Sequence, residues 1–70
     1  MYMTKFGERL KALRTEENVS RQQLANTLNI SLRSISYWEN NQRECDFDTL
    51  IAIAEYFSVS VDYLLGRTDY

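Results

Sequence analysis

No proline interrupts the 70-residue chain, and its two glycines, Gly7 and Gly66, stand near its ends. Nothing in the middle forces the backbone out of a helix by missing an N–H or a Cβ. The chain is divided instead by small polar residues of the kind that cap helices: Thr4, Ser20, Ser31, Asp46 and Ser60. After each comes a stretch with apolar residues three or four apart. Five helices are predicted, at about 5–17, 21–28, 32–40, 47–57 and 61–65. Val59 and Val61 alternate as in a strand, but one such run has no partner to pair with. The fold class is all-α, with residues 1–70 as a single domain and no linker, repeat or low-complexity segment.

The stripes predict the core. Phe6, Leu10 and Leu13 mark the first helix, and Leu24, Ala25 and Leu28 the second. Ile35 and Trp38 mark the third, and Phe47, Leu50, Ile51, Ile53, Ala54 and Phe57 the fourth. Val19 and Ile30 pack from the turns, and Val59, Val61, Leu64 and Leu65 close the end. Ser20 with Gln23 three residues on reads as a capping box. Asn29 suits the left-handed turn after the second helix, and Gly66 stops the last one.

Composition removes whole classes of function. There is no histidine and one cysteine, Cys45, so a zinc site, a Ser-His-Asp or Cys-His centre and an intrachain disulfide are all excluded. No motif singles out an acid–base pair, so no catalytic residue, metal, cofactor or small-molecule ligand is expected. Cys45 reads as a plain loop thiol. The longest apolar runs, as around Ile51 to Ala54, fall far short of a membrane span. Residues 1–5 lead into a charged helix rather than an apolar signal core, so the expected setting is reduced and cytoplasmic.

The net charge of −2 argues against an indiscriminate polyanion binder. The charge is unevenly spread, however. Residues 1–45 carry seven Lys and Arg against five Glu, and residues 46–70 carry one Arg against five Asp and Glu. Between residues 18 and 43, Arg21, Arg33 and Arg43 face a single acid, Glu39. Two short helices with a tight turn, at about 21–40, have the spacing of a helix-turn-helix, but an ordinary αα-hairpin has the same periodicity.

The residues Ser20-Arg21-Gln22-Gln23-Leu24-Ala25, Asn29-Ile30-Ser31 and Ile35-Ser36-Tyr37-Trp38-Glu39-Asn40, with the closing stretch Val59-Ser60-Val61-Asp62-Tyr63-Leu64-Leu65-Gly66, resemble the lambda-repressor-like, Cro/C1-type (XRE) helix-turn-helix family. The resemblance covers about Phe6 to Gly66. It implies a five-helix DNA-binding domain whose third helix enters the major groove of double-stranded DNA, usually as a homodimer on an inverted repeat. The sequence departs from the family pattern at Asn29 and Asn41, where glycine is frequent, and at Leu32, where a polar residue is frequent. It departs again at Glu44-Cys45-Asp46, where proline or basic residues are usual.

The resemblance places Leu32, Arg33, Ser36 and Tyr37 on the exposed face of the recognition helix. Arg33 is the expected base reader, because a guanidinium grips guanine O6 and N7 with two bonds. Asn40, Gln42 and Arg43 are expected on the DNA backbone, and Arg21 on a phosphate or an outer base. Arg14 and Glu39 match a partly buried ion pair of the family and are expected to be scaffold. Lys5, Arg9 and Lys11 read as a solvated face. Val61, Tyr63 and the tail 67–70 lie where related proteins meet a second copy. The implied function is a sequence-specific transcriptional regulator, most simply a repressor. The competing reading is a protein-interaction or antitoxin-like module that keeps the fold with weak or no DNA binding.

Overall fold

The computed structural model describes residues 4–69. It contains α1 (Phe6–Glu16), α2 (Arg21–Leu28), α3 (Leu32–Glu39), α4 (Phe47–Phe57) and α5 (Val61–Leu65), with no strand among the described residues. Four of the five expected caps form. The side chains of Ser20, Ser31, Asp46 and Ser60 accept from the backbone N–H groups of Gln23, Ser34, Thr49 and Tyr63. At Ser20 the capping box is complete: the Gln23 N–H donates to Ser20 Oγ at 3.0 Å, and the Ser20 N–H donates to Gln23 Oε1 at 2.8 Å.

Thr4 is the exception. Lys5, not Thr4, is the N-cap of α1, and it makes no side-chain cap bond. Thr4 Oγ1 receives only a long contact from the Phe6 N–H, at 3.4 Å. The start of α1 is held by tertiary contacts instead: the Lys5 N–H donates to the Leu65 carbonyl at 3.3 Å. Asn40 likewise falls just outside α3, as its C-cap.

Asn29 and Gly66 take the left-handed conformation anticipated for them, with φ of 57° and 79°, and Asn41, where the family often has glycine, takes it at 58°. Asn18 and Ser58 adopt it as well, at 58° and 56°, and close α1 and α4. Asn is the tolerant residue after Gly. Serine at Ser58 carries no such local signal and is held by the Val59 N–H, which donates to the Ala54 carbonyl at 2.9 Å.

The centre of the core is built from one side chain of each helix. Leu10, Leu24, Ile35, Ile53 and Leu64 are fully enclosed. Phe6, Leu13, Ala25, Trp38 and Ala54 surround them, and Val19, Leu28, Ile30, Leu50, Phe57, Val59, Val61 and Leu65 pack around that shell. α1 rests on α3 and α5, α2 on α3 and α4, and α4 on α5. Each helix therefore buries its stripe only because the others are present, as expected for helices too short to persist alone.

Two residues expected inside are outside. Phe47 is 82% exposed, and Ile51 is exposed as well. Ile51 lies two residues, about 200°, around the helix from the enclosed Ile53, so both cannot face one core. Phe47 sits in the first turn, about 120° away from Ile53.

Gly7 is buried in α1 where α3 ends. A Cβ there would stand 2.4 Å from the Trp38 carbonyl oxygen and 3.1 Å from that of Glu39. Backbone atoms cannot step aside cheaply, so α1 can approach α3 only at a glycine. Gly→Ala inside a helix is ordinarily stabilising by about 1 kcal/mol. Gly7→Ala is expected to do the reverse and lower the thermal midpoint, read by circular dichroism.

Thr49 holds the Asp46 carboxyl below its usual range, first through its hydroxyl, at 2.6 Å from Oδ1, and then through its N–H. A depressed carboxylate contributes stability above the unfolded pKa of about 3.9, and that contribution is lost as pH falls through the folded value. Asp46→Asn is therefore expected to show a smaller loss of thermal stability than wild type on acidification below about pH 4.

Candidate nucleic-acid interface

The α2–turn–α3 unit is fixed from within. The Ile30 N–H donates to the Ala25 carbonyl at 3.0 Å across the left-handed Asn29, and Ser31 then starts α3 in a new direction. Ala25 is buried in the core. α3 turns Ile35 and Trp38 inward and leaves Leu32 and Arg33 exposed, with Ser36 and Tyr37 half-buried beside them. Its eight residues make a rod about 12 Å long, and a helix about 10–12 Å across fits a major groove about 12 Å wide.

The chain after α3 folds back along this face. The Gln42 N–H donates to the Tyr37 carbonyl at 2.8 Å, and Asn41 makes the left-handed turn that permits it. The Arg43 guanidinium is carried onto the Tyr37 ring, 4.7 Å from its centroid. Tyr37 and Arg43, expected as separate contacts, thus form one unit. The ring restrains a long cation at the edge of the exposed face. Asn40, Gln42 and Arg43 are all exposed.

Glu39, the only acid on α3, does not face outward. Its side chain is 1% exposed and accepts from Arg14 Nε at 2.7 Å and Arg14 Nη2 at 3.2 Å. Arg14 Nη1 donates to the Val19 carbonyl at 3.0 Å, tying the α1–α2 turn into the same site. The expected Arg14–Glu39 pair is present, and a third member joins it: Arg21 Nε donates to Glu39 Oε1 at 3.1 Å. With Glu39 buried, α2 and α3 expose no carboxylate, and the exposed Arg33 has no acid of either helix beside it.

Two other expectations change. Arg9, expected on a solvated face, has a side chain that is only 16% exposed. It donates to the Thr68 carbonyl at 3.3 Å, approaches Asp69 Oδ1 at 3.5 Å, and lies 4.2 Å from the centroid of the Tyr63 ring. It fastens the chain end to α1 because that end passes over it, which helical periodicity does not encode. Tyr63 is thereby covered on one face, and Val61 is partly buried against the core. Tyr70, part of the expected contact tail, lies outside the described residues.

Among the described residues, the large apolar side chains left exposed are instead Leu32 on α3 and Phe47, Ile51 and Tyr56 on α4. Phe47 borders an open groove of about 220 Å³ walled by Phe6, Cys45, Leu50 and Leu65. The sequence held a signal for this surface: α4 carries more apolar positions than one buried arc accommodates. Burial, with Asp46 and Glu44 adding to it, pushes the Cys45 thiol up to about 11, so it is almost wholly protonated at neutral pH. That fits a plain thiol rather than a reactive one. Among the described residues no group of three or more His, Cys, Asp or Glu is placed to hold a metal, and no helix is long and apolar enough to cross a membrane.

Comparison with known proteins agrees with this architecture. A family model described as a helix-turn-helix domain matches residues 7–69. The HTH-type transcriptional regulator ImmR of Bacillus subtilis (strain 168) is 36% identical over 63 residues, covering 90% of this chain and 50% of that protein. The HTH-type transcriptional activator BcrR of Enterococcus faecalis is 39% identical over 61 residues, covering 87% of this chain and 30% of that protein. The chain thus spans half or less of the length of these two relatives. Among solved structures, a transcriptional regulator from Listeria innocua superposes with a TM-score of 0.88 at 31% identity, over 96% of this chain and 63% of that one. The P22 c2 repressor protein, solved with a synthetic operator, superposes with a TM-score of 0.83 at 28% identity, over 97% of this chain and all of that one.

Arg14 carries two of the three bonds to Glu39. Arg14→Met is expected to cost about 3–5 kcal/mol, because it leaves a buried carboxylate under-compensated. Urea unfolding measures this directly.

Proposed function

The chain belongs to the helix-turn-helix domain family of the Cro/C1 repressor type, and on that premise we propose that it is a sequence-specific regulator that binds double-stranded DNA through α3. The observation that carries this reading is the outward face of the α2–turn–α3 unit. It combines exposed Leu32 and Arg33 with the Tyr37–Arg43 stack and shows no exposed acid, on a backbone that superposes on an operator-bound repressor.

Arg33 reads a guanine, and Leu32 or Tyr37 packs on a thymine methyl. Ser36, Asn40, Gln42, Arg43 and Arg21 contact the backbone and set the register. Occupation of a promoter by such a domain excludes polymerase without further chemistry, so repression is the simplest output. The setting is cytoplasmic.

We further propose a homodimer on an inverted repeat, with half-sites about one helical turn apart. Val61 and Tyr63 contribute to its interface, and the exposed Phe47 and Ile51 supply the apolar area that those partly covered residues lack. An isologous contact uses one such patch twice.

Selection from randomised duplexes tests the reading. An inverted repeat is expected to emerge, and Arg33→Ala is expected to relax one position per half-site by about 1–3 kcal/mol. Absence of any enriched site at low salt overturns it in favour of a protein-interaction module. Phe47→Glu changes a side chain outside the core, so the fold is expected to persist. Its binding to the full repeat is expected to fall to that of one half-site, measured by gel shift and sedimentation.

A further inference from the structure

The Arg21 side chain occupies two environments at once. Its Nε bonds to a carboxylate that is 1% exposed, while the side chain as a whole is 42% exposed. A guanidinium has a fixed, planar fork of donors, so anchoring it through Nε also fixes where Nη1 and Nη2 point. Glu39 already receives two bonds from Arg14, and Arg14 in turn is bonded to the Val19 carbonyl. The carboxylate that aims Arg21 is therefore itself held by α1 and by the turn before α2. Two guanidinium groups share one carboxylate, which leaves one positive charge of the cluster uncompensated within it.

We propose that Glu39 is a positioning residue for DNA binding: it holds Arg21 through Nε so that the terminal nitrogens meet a backbone phosphate, and it makes that phosphate contact depend on the seating of α3 against α1. This rests on the DNA-binding reading above. It differs from the role expected of Glu39, which was scaffold paired with Arg14 alone. A freely rotating arginine pays rotamer entropy on meeting a phosphate, whereas one already anchored by Nε pays less. The contact carries no base information, so its loss weakens all sequences alike.

The test uses the duplex selected for the wild-type protein and a scrambled duplex, titrated over a range of salt. Arg21→Ala is expected to weaken both by about tenfold and to flatten the slope of log K against log salt by about 0.9. Arg21→Lys keeps the charge but cannot hold a carboxylate and a phosphate in one planar fork, and is expected to lose most of the same affinity. In a Glu39→Gln background, scored on the folded fraction by circular dichroism, Arg21→Ala is expected to cost much less than in wild type. Wild-type affinity in Arg21→Lys would overturn the proposal, as would an Arg21→Ala effect of equal size in both backgrounds. If Glu39→Gln does not fold, the lysine variant decides alone. If the wild-type protein binds neither duplex at low salt, the DNA-binding reading falls and takes this proposal with it.

Discussion

A carboxylate almost sealed from solvent costs several kcal/mol to desolvate and is tolerated only when its oxygens are fully bonded. At Glu39 three N–H donors from two arginines satisfy it. The three residues come from the end of α3, the end of α1 and the start of α2, so the requirement to bond one carboxylate fixes how three helices meet. Apolar packing alone would hold these helices together with more freedom to slide. The same contact hides the only acid of α3, which would otherwise be an exposed negative charge at the end of that helix.

Charge then follows architecture. A net charge of −2 gives the chain no bulk attraction to DNA, but seven of its eight Lys and Arg lie in residues 1–45 with only half of its ten acids, and Glu39 is withdrawn. What remains on the α2–α3 face is a few arginines, two of them restrained: Arg21 by Glu39 and Arg43 by the Tyr37 ring. Such a surface offers a few placed cations rather than bulk attraction to a polyanion.

α4 and α5 serve the rest of the molecule differently. Ile53 and Leu64 complete a core in which each helix supplies one enclosed side chain. α4 also turns Phe47 and Ile51 to solvent. α5 is less free than its position suggests. Arg9 covers Tyr63 and binds the chain end, so a contact surface centred on α5 alone would be small.

Local chemistry made much of this legible in the sequence. Ser20, Ser31, Asp46 and Ser60 satisfy backbone donors within three residues of themselves, and Asn29, Asn41 and Gly66 reverse the chain at their own φ. Such interactions need no distant partner, so they can be read one segment at a time, and the five helices and most of the core follow from them. The Arg14–Glu39 pair and the outward face of α3 are implied only by resemblance to a family, since nothing local links residues 25 apart. Other features depended on what the completed fold brings near. Lys5 rather than Thr4 caps α1 because Leu65 approaches it, and Arg9 is pinned because residues 68 and 69 cross it. Arg21 reaches Glu39 because α2 meets the end of α3, and Phe47 and Ile51 are exposed because α4 has only one side against the core. The sequence by itself determined where each helix begins, ends and carries its apolar stripe. Only the tertiary structure decided which charged side chains are partners and which apolar ones stay in water, because those outcomes depend on distances between segments that no local pattern specifies.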